Sequence, residues 1–397
     1  VQRRNLRTFW IEGGIWGAAE SLSTPFISLY ALAFGATSAQ IGLLSSFASL
    51  LAGLGLWPGA WLGGRWSHKL VAALTYKMLY ILMPATMALL PLLFRGEAIV
   101  YGVIVLYAFQ LFFCSAGIPS WTVVAGTIVP RQIRGRYLSF RSGLQTLAAL
   151  LLVPAVGALI RVLPAPAGYQ IAFVAAAIVG TISTLLYLRL PDPDRTSGDG
   201  GKPVGFWREV RQARDFLLFI GAAVAWTLSL TIAEPFYNVF MVRQLGLDTG
   251  TIALLASVTT ASRLVAFRVF GLLSDRIGEK RTLVIAGLLA PFGRIAYLLV
   301  TSAWHIAPIT AYSGFFLGGF DLIAFNTFLA VAPVERQAQY NALYRTLVAV
   351  GSFTGPLIGG ALYGRFGFHA NLLLSAAGML ATAGVYGWLA VRRAQMR

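Results

Sequence analysis

Ten ionisable side chains interrupt stretches that are otherwise apolar, and they are the residues of this chain best placed to do chemistry. In the first half they are Glu12, Glu20, Lys77 and Arg141; in the second they are Glu234, Arg263, Arg268, Arg294, Asp321 and Arg345. An ionised group at mid-bilayer costs about 2.5 to 3.5 kcal/mol even on the lenient insertion scale, so each must pair, reach water or bind something. Glu12, Trp16, Glu20 and Thr24 are spaced by four and share a helix face, and Trp226, Leu230, Glu234 and Asn238 repeat that spacing. At 1.5 Å per residue Glu20 falls roughly 18 Å into its span, near the midplane, and Glu12 roughly 6 Å in. A carboxylate at such depth, with no base within a turn of its own helix, can contact a solute or exchange a proton. Glu20 is the leading candidate, and Glu234, beside Pro235 where a helix can break, is second. Arg141 and Gln145, four apart, are expected to look inward, and Asn326 adds a neutral polar group. Asp321 is expected to pair with Arg263 or Arg345. Lys77 and Arg294 read as structural or snorkelling residues.

Composition dictates what positions these groups. Of 397 residues 57% are hydrophobic and 11% charged, whereas roughly a quarter are charged in a soluble domain. At about 20 apolar residues per span the chain can fill roughly eleven or twelve membrane helices. Long apolar runs without period-two alternation exclude an outer-membrane barrel. Breaks at charge, Pro and Gly clusters give twelve spans: 8–33, 39–63, 69–94, 98–128, 138–162 and 168–190, then 215–241, 249–274, 281–302, 306–331, 339–364 and 369–391. The expected fold is an all-α membrane protein with twelve transmembrane helices in two pseudo-symmetric six-helix bundles, 1–190 and 215–397. The polar stretch 191–214 between them reads as a cytoplasmic linker, and GFWREVRQAR within it as an amphipathic surface helix.

The net charge of +17 would suggest nucleic acid in a soluble protein, but here it follows the positive-inside rule, so no nucleic-acid partner is expected. With both termini inside, the basic clusters at Arg3, Arg4 and Arg7, at Arg131, Arg134 and Arg136, in the linker, and at Arg392 and Arg393 all fall on the cytoplasmic face. Outside are Arg95, Arg161, Arg243 and Arg365. The location read from this is the inner (plasma) membrane. The start, VQRRNLRTFW, runs into the first span without a small-residue cleavage site and is expected to be retained. Lone Cys114 and scattered His68, His305 and His369 offer no disulfide and no metal cluster, so no metal and no cofactor is expected. The halves repeat one another: ATSAQIGLLSSFASL from Ala36 parallels LDTGTIALLASVTTA from Leu247, Thr24-Pro25-Phe26 parallels Glu234-Pro235-Phe236, and VPRQIRGRY parallels APVERQAQY. A parallel repeat of this kind suits alternating access between the two halves.

GLLSDRIGEKR, from Gly271 to Arg281, resembles the loop motif G-x-x-x-D-R-x-G-x-K/R-K/R of the major facilitator superfamily, with Gly271, Asp275, Arg276, Gly278, Lys280 and Arg281 all matching. It also lies where that family puts it, between the eighth and ninth spans. In physical terms it is a tight cytoplasmic turn, in which glycine permits close helix approach and the acid can cap a helix N-terminus. The copy between the second and third spans has decayed to AWLGGRWSHK, with Gly64 where the aspartate would stand. GSFTGPLIGG, Gly351 to Gly360, looks like a glycine-proline stretch that exporters of the family carry in their fifth helix, although here it lies in the eleventh span. Its alternative reading is close helix packing. The resemblance implies that spans one, four, seven and ten line the transport path, that three, six, nine and twelve are peripheral, and that the loop motif gates.

The function expected is a secondary active transporter of a small organic solute, read as an exporter, with proton coupling open to its embedded carboxylates. The partners are then the solute, the proton and the lipid bilayer, and the protein is expected to be a monomer. An importer of a sugar or organic anion, as uniporter or symporter, is the alternative. A membrane-embedded enzyme would need a nucleophile with its base, or a metal cluster, at one depth, and an ATP-driven pump would need G-x-x-x-x-G-K-[ST]; neither pattern is found.

Overall fold

Apolar runs of twenty or more residues fold here as long helices because a helix satisfies every backbone group within its own segment. The computed structural model describes residues 2–192, 206–331 and 337–392, and every regular element among them is helical. Most of the linker read at 191–214, the segment before Tyr340 in the last repeat, and the terminal basic residues from Arg393 onward lie outside the described residues.

The first span is α1 (Gln2–Ser23) and α2 (Ile27–Ala33), joined by a 3-10 turn at Thr24–Phe26 that holds Pro25. α3 (Ser38–Arg65) starts from a capping box in which Gln40 N–H donates to Thr37 Oγ1 (3.2 Å) and Thr37 N–H to Gln40 Oε1 (2.8 Å). The third span is α4 (His68–Ala72), a π-helical segment at Ala73–Leu79, and α5 (Tyr80–Leu93). α6 (Glu97–Ile128), α7 (Arg134–Val162) and α8 (Ala167–Leu188) complete the first half, and the short α9 (Phe206–Gln212) leads into the second. There α10 (Arg214–Ala233) and α11 (Phe236–Arg243) make one span broken at Glu234-Pro235, followed by α12 (Thr249–Ile277), α13 (Glu279–Tyr297), α14 (Ala303–Val331), α15 (Gln337–Phe366) and α16 (Phe368–Arg392).

Ten helices among the described residues are long and apolar enough to cross a membrane. The other two spans, α1 with α2 and α13, are the ones loaded with charge: Glu12 and Glu20 lie in α1, and Glu279, Lys280, Arg281 and Arg294 in α13. The chain divides into two compact units, Val1–Gly201 with Asp248–Leu254, and Lys202–Leu247 with Leu255–Arg397.

Glycines set how closely helices approach inside each unit. In the first, a β-carbon on Gly17 of α1 would lie 2.7 Å from Gln145 Cα of α7, and one on Gly59 of α3 would lie 2.6 Å from Ala116 Cα of α6. In the second, Gly351, Gly355 and Gly359 of α15 run along α10, where a β-carbon on Gly359 would stand 3.0 Å from the Ile232 carbonyl carbon; Gly318 of α14 lies against Arg263 of α12 in the same way. Asn371 of α16 locks the first of these pairs by donating to the carbonyls of both Ile232 and Gly359 at 2.9 Å. GSFTGPLIGG is thus a packing seam of the second unit. The loop motif turns at Gly278, whose φ of 87° suits glycine alone, while Asp275 is exposed beside it.

Candidate functional site

α1 carries two carboxylates with different company. Glu12 is fully buried and shared by two cations: Arg141 Nη2 donates to its Oε2 at 3.1 Å, and the Lys77 ammonium pairs with its Oε1. Ser183 of α8 donates to the same Oε1 at 3.0 Å. Gly13 makes room for this, since a β-carbon there would lie 2.7 Å from Arg141 Cγ. The Lys77 Nζ faces the Trp16 ring at 4.1 Å and the Tyr187 ring at 5.1 Å, while Arg141 lies over Phe9 at 4.8 Å and Trp121 at 5.3 Å. Arg141 also donates from Nε to the Phe9 carbonyl at 3.3 Å.

Glu20, two turns farther along, is half-buried and meets a neutral partner. Tyr80 Oη donates to its Oε1 at 3.0 Å and lies 3.1 Å from Thr24 Oγ1. Among the described residues Glu20 forms no salt bridge. Arg141, expected to look inward, pairs with Glu12 and not with Glu20. The physical reason is burial: Glu12 is fully enclosed and needs counter-ions, whereas Glu20 is half-buried beside a hydroxyl. Lys77 does not snorkel: its side chain is fully buried within the first unit, where Glu12 takes its charge.

In the second unit Arg294 is likewise buried and does not snorkel. Its Nη2 donates to Glu234 at 3.2 Å and its Nε to Ser375 of α16 at 2.7 Å, and Glu234 keeps 54% of its side-chain surface exposed. Glu234 ends α10 immediately before Pro235, and this break divides the stripe of Trp226, Leu230, Glu234 and Asn238 between α10 and α11. Arg263 and Asp321 meet at 2.7 Å with about half of each side chain open, so Asp321 takes the first of its two expected partners, and Arg345 is exposed. Trp16 and Trp226 are both buried within their own units, Trp226 stacked on Phe320 at 3.8 Å. Thr24, Gln145, Asn238 and Asn326 are half-buried.

Sequence reasoning missed Tyr80, Ser183 and Ser375. Each is a hydroxyl supplied by a distant span, and no local spacing announces it. Glu12 carried a visible signal, a charge in an apolar helix, but its partners Lys77, Arg141 and Ser183 come from other spans. What the arrangement offers is two kinds of embedded acid: Glu12, saturated by ionic partners, and Glu20 and Glu234, which keep open surface or a neutral partner.

Comparison with known proteins agrees with this architecture. A profile described as Major Facilitator Superfamily matches residues 13–234 and 218–396. Multidrug resistance protein MdtG of Salmonella typhimurium is 27% identical over 416 residues, covering 99% of this chain and 97% of its own, and MdtG of Enterobacter lignolyticus is 27% identical over 421 residues, covering 98% and 93%. Among solved structures, the nucleoside transporter NupG aligns with a TM-score of 0.76 at 12% identity, covering 98% of this chain and 100% of its own. A bacterial homologue of the iron transporter ferroportin, in an inward-facing state, aligns at 0.72 and 14%, covering 98% of each chain. With the profile matched on both halves and twelve spans in two pseudo-symmetric bundles, this chain belongs to the major facilitator superfamily.

Proposed function

We propose that this secondary transporter is an exporter of small organic solutes, coupled to protons through Glu20. It works as a monomer of two halves, 1–190 and 215–397, joined by a cytoplasmic linker at 191–214, and alternates access by rocking those halves. It lies in the inner membrane with both termini cytoplasmic. The observation that carries the reading is the contrast on α1: Glu12 is saturated by Lys77 and Arg141, whereas Glu20 is held by the Tyr80 hydroxyl alone among the described residues. A carboxylate with a neutral partner can gain and lose a proton without leaving a buried counter-charge bare. Export is supported by the relatives named for multidrug resistance, and the orientation by the Lys and Arg asymmetry.

Glu234 is the second solute or proton contact, open beside the Pro235 break. Around these two acids, Trp16, Thr24, Arg141, Gln145, Trp226, Asn238, Arg263, Asp321, Asn326 and Arg345 make up the polar and aromatic frame of the path. Gly271, Asp275, Arg276, Gly278, Lys280 and Arg281 gate its cytoplasmic end. The test is efflux in proteoliposomes under an imposed pH gradient. Glu20→Gln is expected to abolish gradient-driven efflux while the protein stays folded and still performs solute counterflow. A stable variant with unchanged gradient-driven efflux would rule out the assignment.

A further inference from the structure

Charge arithmetic within the first unit leaves an imbalance that the pairing does not resolve. Glu12, Lys77 and Arg141 together hold one carboxylate and two cations, and Glu20 stands apart with one carboxylate and a neutral partner. Two one-to-one pairs can be drawn from the same four groups, and inside a low-dielectric bundle an unbalanced triad beside an unbalanced carboxylate is the costlier distribution. The arrangement seen here therefore suits a Glu20 that carries no charge of its own.

The two cations differ in how they are held. Arg141 is anchored three ways, by Glu12, by the Phe9 carbonyl at 3.3 Å and by the rings of Phe9 and Trp121. Lys77 donates to Glu12, and otherwise its ammonium lies against aromatic faces, which attract a cation without fixing its direction. Trp16 lies midway between the two acids on α1, four residues from each, so the ring that Lys77 already touches leads toward Glu20. Tyr80, three residues after Lys77 on the third span, already reaches Glu20, and the two acids stand eight residues, roughly 12 Å, apart along α1, which bounds the distance the ammonium has to cross.

The backbone under Lys77 is suited to such a move. It lies in the π-helical segment Ala73–Leu79, a wide turn that can exchange for an α turn by local adjustment. Gly117 of α6 leaves space for it: a β-carbon there would lie 2.6 Å from Tyr76 N.

We propose that Lys77 is an internal competitor for Glu20: its ammonium leaves Glu12 for Glu20 when Glu20 is bare, and returns to Glu12 when Glu20 holds a proton or a cationic group of the solute. Glu12 keeps Arg141 in both arrangements: with Glu20 bare the four groups form two one-to-one pairs, and with Glu20 neutral the two cations share Glu12 and one positive charge is in excess. The inference rests on Glu20 being the exchanging carboxylate. The groups that face this exchange are Glu12 from α1, Tyr76 and Tyr80 from the third span, Tyr107 and Cys114 from α6, Arg141 from α7 and Tyr187 from α8. Of these, Arg141 is the one rival cation, and its three anchors hold it in place.

Hydrogen exchange followed by mass spectrometry on the full chain in nanodiscs tests the proposal without relying on transport. Amides of residues 73–80 are followed at pH 6 and pH 8, after correction for intrinsic exchange. In the wild type they are expected to exchange several-fold faster at pH 8, where a bare Glu20 draws Lys77 and opens the wide turn. Glu20→Gln is expected to hold the slower rate at both pH values, and Lys77→Met to remove the pH dependence. Equal corrected rates in the wild type, or a pH dependence that survives in Glu20→Gln, would overturn the exchange of Lys77. If gradient-driven efflux is lost in Glu20→Gln while wild-type rates are equal, Lys77 is static and the transport reading stands. If efflux persists in that variant while the wild-type rates differ, the transport reading fails and the movement of Lys77 stands.

Discussion

A carboxylate shared by two cations and one that meets a hydroxyl respond differently to the same substitution. Glu12→Gln strands Lys77 and Arg141 without their counter-charge, and breaking a buried pair of this kind costs about 3 to 5 kcal/mol. A large drop in the thermal midpoint of the purified protein is expected, whereas Glu20→Gln keeps an amide oxygen that can still accept from Tyr80 Oη and leaves that midpoint nearly unchanged. Outside the membrane, Asp248 starts α12 by accepting from Thr251 N–H at 3.1 Å and Thr251 Oγ1 at 2.7 Å. Partial burial pushes its carboxyl up, but these bonds, one from Gly250 N–H and the charge of Arg161 outweigh it and hold the group below the usual carboxylate range. A depressed folded-state value means that its contribution is present in full above the unfolded value and is lost as pH falls through the folded one. Asp248→Ala should therefore cost about 1 kcal/mol, equally at pH 6 and pH 8, and less in strong acid; a cost that changes between pH 6 and pH 8 would count against this assignment. At this scale the acids on α1 were legible, because four-residue spacing is a property of one helix. Their hydroxyl partners were not, because Tyr80 and Ser183 arrive from spans far along the chain.

Elements come next, and here the glycines of α15 decide. Valine at 359 would drive its side chain into the Ile232 backbone of α10, and overpacking of this kind costs about 1 to 3 kcal/mol. Gly359→Val is expected to lower yield of folded protein and the thermal midpoint, while Gly384→Val, at a glycine with nothing within 4 Å of its would-be β-carbon, should do neither. Melting curves of the two variants side by side check the claim. The spans and the break at Glu234-Pro235 could be read from hydropathy and proline placement. The π-helical segment could not, since Ala73–Leu79 has no residue that marks a wide turn, and the close approach it makes at Gly117 is to a different helix.

For the molecule as a whole, sidedness is the property with the widest reach. On a Cys114→Ala background, a membrane-impermeant thiol reagent added to intact cells should label Glu97→Cys, between the third and fourth spans, and should miss Gly64→Cys, between the second and third, until the membrane is opened. The opposite pattern would invert the orientation and every assignment of gate and exit. Repeat architecture was legible because Thr24-Pro25-Phe26 and Glu234-Pro235-Phe236 occupy matching turns. The glycine seams add something no residue match displays. Span one meets span five through glycines on the former, while spans seven and eleven meet through glycines on the latter; spans two and four meet through glycines on the second, and spans eight and ten through those on the tenth. Both halves thus couple the same pairs of helices, with the small residue on opposite members of the couple. Kinship between the halves is therefore preserved in which helices touch, and a transplant of one seam into the other half would have to exchange both partners at once.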